Sequence, residues 1–116
     1  LSACASAPRT TTSAAPVVRP AGVAEIEEVL RSAGGREAAR LAAVERALGP
    51  PDLTRRDGAG AALTYRLETC ALLLLFSGGN DLRLAEVNAG PRHVGAARPS
   101  VEQCAIEASA RRAPNP

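Results

Sequence analysis

The apolar positions along the chain fall into three kinds of pattern. Residues 5–22 are mostly Ala, Ser, Thr, Pro and Arg with no apolar period, the composition of a disordered tether. Between 23 and 33, Val23, Ile26 and Leu30 recur at i, i+3 and i+7, and Glu25, Glu27 and Glu28 sit near the start, where the helix dipole favours them. Gly34-Gly35 ends that helix. Residues 36–48 repeat the period with Leu41, Val44 and Leu48, and Gly49 followed by Pro50-Pro51 forbids continuation. The pattern predicts two amphipathic helices in succession.

After Pro51 the period drops to two. Asp57-Gly58 is a hairpin signal, with a short strand at Leu53–Arg56 before it and a strand at 61–68 after it. In that second strand Leu63, Tyr65 and Leu67 share one face. Residues 70–76 (CALLLLF) are apolar at every position, which predicts a central strand covered at least partly on both sides. Ser77-Gly78-Gly79-Asn80-Asp81 turns the chain into a last main strand at 82–88, completing an antiparallel meander. A loop follows at 89–99. Ser100-Val101-Glu102-Gln103 then reads as a capping box opening a helix from Val101 to about residue 110, with a loose tail at 111–116. The expected fold class is α+β: two helices on a three-stranded antiparallel sheet, plus a short C-terminal helix. The single domain spans 23–110.

Composition narrows the chemistry. The chain has 116 residues with one Phe, one Tyr, no Trp and no Met, and much of its apolar fraction is alanine. So few large side chains exclude a deep cofactor pocket and aromatic platforms for single-stranded nucleic acid. All 14 basic residues are arginine, set against 12 acidic ones, so no basic field exists for DNA or RNA. No cofactor is implied.

Three cysteines leave one over after pairing. The opening Leu1-Ser2-Ala3-Cys4 resembles a bacterial lipobox, the end of a lipoprotein signal peptide. The resemblance implies cleavage before Cys4, lipid on its sulfur and an acylated amine. Each buried CH₂ contributes ~0.8 kcal/mol, so two or more chains anchor where one holds marginally. Ala5, where a retained lipoprotein would carry Asp, implies the outer membrane facing the periplasm. The tether would then reach ~25 Å from the membrane. Cys70 and Cys104 remain as a pair. In an oxidising periplasm a disulfide is the default, closing a loop of about 35 residues. The rival is a metal site, but two Cys and the lone His93 lack the usual ligand spacing.

The residues Leu48-Gly49-Pro50-Pro51-Asp52, Arg55-Arg56-Asp57-Gly58, Leu63-Thr64-Tyr65-Arg66 and Cys70-Ala71-Leu72 together are similar to small bacterial lipoproteins of the SmpA/OmlA (BamE-like) kind. The resemblance covers about residues 36–106. It implies an ααβββ sandwich tethered to the outer membrane, and a role in stabilising the barrel-assembly machine. Leu63 stands where the family carries an aromatic. The beta-lactamase-inhibitor proteins share this fold, which keeps an inhibitor or ligand-binding module as the alternative.

Candidate chemistry is sparse. His93, the sole histidine, lies in a Gly/Pro loop, and no G-x-S-x-G motif is present. Asp52 and Asp57 read as turn residues and Asp81 has no EF-hand spacing. Gly78-Gly79 lacks the Lys-Ser/Thr of a phosphate loop. The expectation is therefore a non-enzymatic protein. Its contact surface is expected at the hairpins, around Arg55, Arg56, Asp57 and Gly58 and around 77–81. Arg111-Arg112 reads as solvated surface.

Overall fold

The computed structural model describes residues 22–112. The lipobox, Cys4 and the 5–21 part of the tether lie outside the described residues, as do 113–116. Two helices come first, α1 (Val23–Arg31) and α2 (Leu41–Leu48). Four strands follow, β1 (Leu53–Asp57), β2 (Gly60–Arg66), β3 (Cys70–Ser77) and β4 (Arg83–Pro91). The last element is α3 (Val101–Arg112). The class is α+β. The strands form one antiparallel sheet in the order β1-β2-β3-β4, so the sheet has four strands and not three.

The fourth strand is β1, the short strand expected before Asp57-Gly58 but not counted in the three-stranded sheet. Its five side chains are all exposed, so no burial pattern marks it. It is held by the backbone ladder that the Asp57-Gly58 turn sets up, from Asp57 against Gly60 to Leu53 against Thr64. Backbone pairing needs no apolar side chain, which is why LTRRD can be a strand.

α1 forms where the 3.6-residue period puts Val23, Ile26 and Leu30 on one buried face. It stops ahead of Gly34, whose φ of 74° favours glycine and whose N–H donates to Leu84 O at 2.9 Å. α2 is shorter than the apolar period suggests: residues 36–40 are not helical. That stretch is drawn to the free edge of β4 instead. Leu84 N–H donates to Ala39 O (2.8 Å), Leu41 N–H to Leu82 O (3.2 Å), and Arg40 pairs with Arg83 as an isolated bridge. Ser32 braces the loop, donating to Val29 O and accepting from Ala39 N–H. The loop thus shields an edge strand that would otherwise present unpaired backbone groups. Gly49 ends α2 with φ 88°.

One core lies between the helices and one face of the sheet. Leu63, Tyr65, Leu72, Leu74 and Leu84 contribute the sheet side, and Ile26, Val44, Cys104, Ala105 and Ala108 the helix side. Each fully buried Leu or Val contributes ~1.5–3 kcal/mol, so this single layer carries most of the apolar stabilisation. The other face of β3 is covered only in part among the described residues, the least that the CALLLLF run suggests. Leu73 and Leu75 are half-buried and are not among the residues packed on the core. A bulge at Leu75/Phe76, opposite Ala85, keeps β4 in phase with β3 on both faces.

Candidate functional site

Two regions gather the polar and redox-capable groups. The first is where α3 meets the ends of β2 and β3. Cys70 begins β3 on its inner face and Cys104 lies one turn into α3, both fully buried. They form a disulfide with a Cα–Cα distance of 5.6 Å. Ser100 accepts from Gln103 N–H at 3.0 Å, so the expected N-cap opens α3. The capping box is half-made. The Gln103 side chain turns forward and donates to Glu107 Oε2 at 2.9 Å.

Glu107 is the fastener that sequence reading missed. Its Oε1 accepts from Thr69 N–H (2.9 Å) and Cys70 N–H (3.2 Å), and its Oε2 accepts from the Thr69 hydroxyl. Burial pushes its pKa up, but the four donated hydrogen bonds outweigh that and hold it below the usual range. Its position three residues after Cys104, on the same helix face, was the available signal.

Arg111 and Asp52 form a second brace. Arg111 Nη1 donates to Asp52 Oδ2 at 2.8 Å and Nη2 to Oδ1 at 3.3 Å. The same guanidinium reaches Pro50 O and Arg66 O and lies 5.8 Å over the Tyr65 ring. Arg111 is therefore tied to the fold, which corrects its placement in a loose, solvated tail. Asp52 also accepts from Arg66 N–H at 2.6 Å. That bond first, and the Arg111 fork second, lower the Asp52 pKa. Below this layer the buried Tyr65 hydroxyl donates to Gly49 O at 2.7 Å. Burial raises its pKa well above the usual range, so it stays a donor.

Both carboxyl groups have folded pKa values below their unfolded ones. Their stabilisation is present above the unfolded values, about pH 4, and is lost as pH falls through the folded values. Thermal unfolding should give a level Tm from about pH 7 to 5 and a fall below about pH 4. In the Asp52→Asn/Glu107→Gln double variant the acid fall should be visibly shallower; an unchanged slope would contradict the two braces.

The second region is the β1–β2 hairpin. Arg55, Arg56, Asp57 and Gly58 are all exposed there, but they do not form one patch. Arg55 pairs with Ala62 on the face away from the helices, and Arg56 pairs with Ala61 on the helix face. Arg56 lines a shallow groove with Arg40, Asn80 and Asp81. Asp81 is engaged by Arg40 (3.2 Å) and Arg83 (3.0 Å). The two expected contact hairpins thus meet across that groove on the helix side.

No family model, curated protein or solved structure matches this chain. The cleft beside α3 is lined by Arg66, Arg92, Glu107 and Arg111. Glu107 and Arg111 are spent on the braces, and Arg92 donates to Leu67 O at 2.7 Å. The cleft is thus built as a clamp for the disulfide end. His93 lies in the exposed loop before α3. Among the described residues, no group of three His, Cys, Asp or Glu is placed to hold a metal ion. No described helix is long and apolar enough to cross a membrane.

Proposed function

We propose that the protein is a non-enzymatic lipoprotein of the cell envelope, lipid-anchored through Cys4 on the periplasmic face of the outer membrane. It acts as a structural or interaction module, with outer-membrane protein assembly as its setting. The observation that carries this reading is the fully buried Cys70–Cys104 bridge. A fully buried structural disulfide in a small domain suits an oxidising compartment. With two cysteines paired, Cys4 is the one left, and it stands in Leu1-Ser2-Ala3-Cys4. The resemblance to SmpA/OmlA lipoproteins supports the assembly setting. The partners are the membrane, through the lipid, and envelope proteins such as the barrel-assembly machine.

The test is metabolic labelling with an alkyne fatty acid in the native host, followed by membrane fractionation and pull-down. The wild-type chain should take the label, sediment with outer membranes and recover envelope proteins. The Cys4→Ala variant should do none of these. An unlabelled wild-type chain that fractionates like Cys4→Ala would overturn the anchor. Labelled protein that recovers no envelope protein above the control would overturn the interaction role.

A further inference from the structure

The face of the sheet turned away from the helices has an order that the pairing register makes explicit. One row across the four strands runs Arg55–Ala62–Leu75–Glu86. The next runs Leu53–Thr64–Leu73–Asn88, and on the other side lies Asp57–Gly60–Ser77–Arg83. Two features repeat. Leu75 and Leu73 on β3 neighbour the smaller Ala62 and Thr64 on β2. The outer strands carry opposite charges, Arg55 and Asp57 on β1 against Glu86 and Arg83 on β4. Leu53 is 48% exposed, and Leu73 and Leu75 are half-buried.

Each row is complementary to itself under one operation. A two-fold axis in the plane between two stacked sheets, running along the strands between β2 and β3, reverses each row. Arg55 then faces the partner's Glu86, and Asp57 faces the partner's Arg83. Leu75 comes over the partner's Ala62 and Leu73 over the partner's Thr64, so large groups meet small ones. The other in-plane axis, across the strands, lays β1 on β1 and β4 on β4. Set between the Arg55 and Asp57 rows it also opposes charges, Arg55 to the partner's Asp57 and Glu86 to the partner's Arg83, but there an Arg55→Glu/Glu86→Arg double variant would add a second like-charge clash instead of restoring the match. Aligned sheets stack ~10 Å apart and rotated by ~30°, which offsets the outer strands by about one residue. An arginine stem spans that offset.

The charges are also available. Among the described residues Arg55 has no ion pair, and Glu86 accepts only from the Asn88 amide at 3.2 Å. Within one copy Arg55 and Glu86 are three strands apart, ~14 Å, too far to meet. Arg83 is already held by Asp81, so the Asp57–Arg83 match is the weaker of the two. Arg66, the remaining charge on this face, lines the cleft beside α3.

We propose that this open face is the interface of a symmetric homodimer, a second copy of the chain stacked on it about a two-fold axis along the strands. Such an interface is isologous: each Arg55–Glu86 match occurs twice. Four strands span only about 20 Å by 25 Å, the low end of specific interfaces, so the dimer forms in the micromolar range. The inference does not rest on the lipid anchor.

The test uses the full chain carrying Cys4→Ser, so that no free thiol cross-links copies, with its disulfide intact. Sedimentation equilibrium from about 1 to 300 μM should show a monomer–dimer transition. Arg55→Glu and Glu86→Arg should each weaken it about tenfold or more, since each swap places like charges together twice. The double variant Arg55→Glu/Glu86→Arg should restore it to within about threefold, because the reversed pair is again complementary. Leu75→Arg should abolish it. Arg55, Glu86 and Leu75 all lie outside the core, and an unchanged circular dichroism spectrum verifies folding. A monomer at every concentration, a dimer indifferent to the single swaps, or a double variant no better than the singles would each overturn the proposal.

Discussion

The double variant Cys70→Ala/Cys104→Ala should lose about 3–4 kcal/mol of stability, the chain-entropy value for a 34-residue separation. Domains of this size have ~5–15 kcal/mol in total, and each kcal/mol moves Tm by ~4–8 °C. The expected fall is therefore about 15–25 °C by circular dichroism in a Cys4→Ser background. The bridge has this weight because of what surrounds it. Ala105, Ala108 and Ser109 are the buried residues that follow Cys104 in α3 among the described residues, and such small side chains contribute little burial energy. Without the bridge, α3 is held to β3 mainly by the Glu107 bonds to Thr69 and Cys70. Mass analysis after alkylation without reduction should also find both thiols blocked. A Tm shift below about 5 °C would show that the core holds α3 without the bridge.

The second large effect belongs to Tyr65. Tyr65→Ala should cost about 3–5 kcal/mol, the usual penalty for emptying a large aromatic site. Tyr65 is fully buried and is the largest such side chain among the described residues. Tyr65→Phe should cost only about 0.5–1.5 kcal/mol, for the lost donor to Gly49 O. Denaturant titration of the pair separates packing from hydrogen bonding. Equal losses in the two variants would mean that the hydroxyl, and not the ring, joins β2 to the end of α2.

Parts of this arrangement were legible because their causes are local. The glycine stops at Gly34 and Gly49, the Asp57-Gly58 turn and the Ser100 cap act within a few residues of themselves. The alternation of Leu63, Tyr65 and Leu67 marks the inner face of β2. The Cys70–Cys104 pair followed from cysteine arithmetic and compartment, and the structure shows the bond. The family resemblance implied a three-stranded sheet. The fourth strand, β1, is the short strand expected ahead of the Asp57-Gly58 turn; its side chains carry no burial pattern, and backbone pairing brings it into the sheet.

The candidate site was less legible than the fold. Arg55, Arg56, Asp57 and Gly58 are adjacent in sequence and exposed, but Arg55 and Arg56 serve opposite faces of the sheet. Arg111 looked like tail, and its partner Asp52 lies 59 residues earlier. Glu107 reaches 38 residues back to Thr69. Nothing near either residue announces such a brace.

The sequence by itself determined where the chain turns, which side chains alternate, and that two cysteines were free to pair. Those are consequences of φ/ψ limits and side-chain period, which act over a few residues. Only the tertiary structure decided that residues 36–40 leave the helix to shield β4. It also decided that Arg111 and Glu107 clamp the disulfide end, and that one face of CALLLLF is only half-buried among the described residues. Each depends on groups brought together from distant parts of the chain, where burial and edge pairing outweigh local preference.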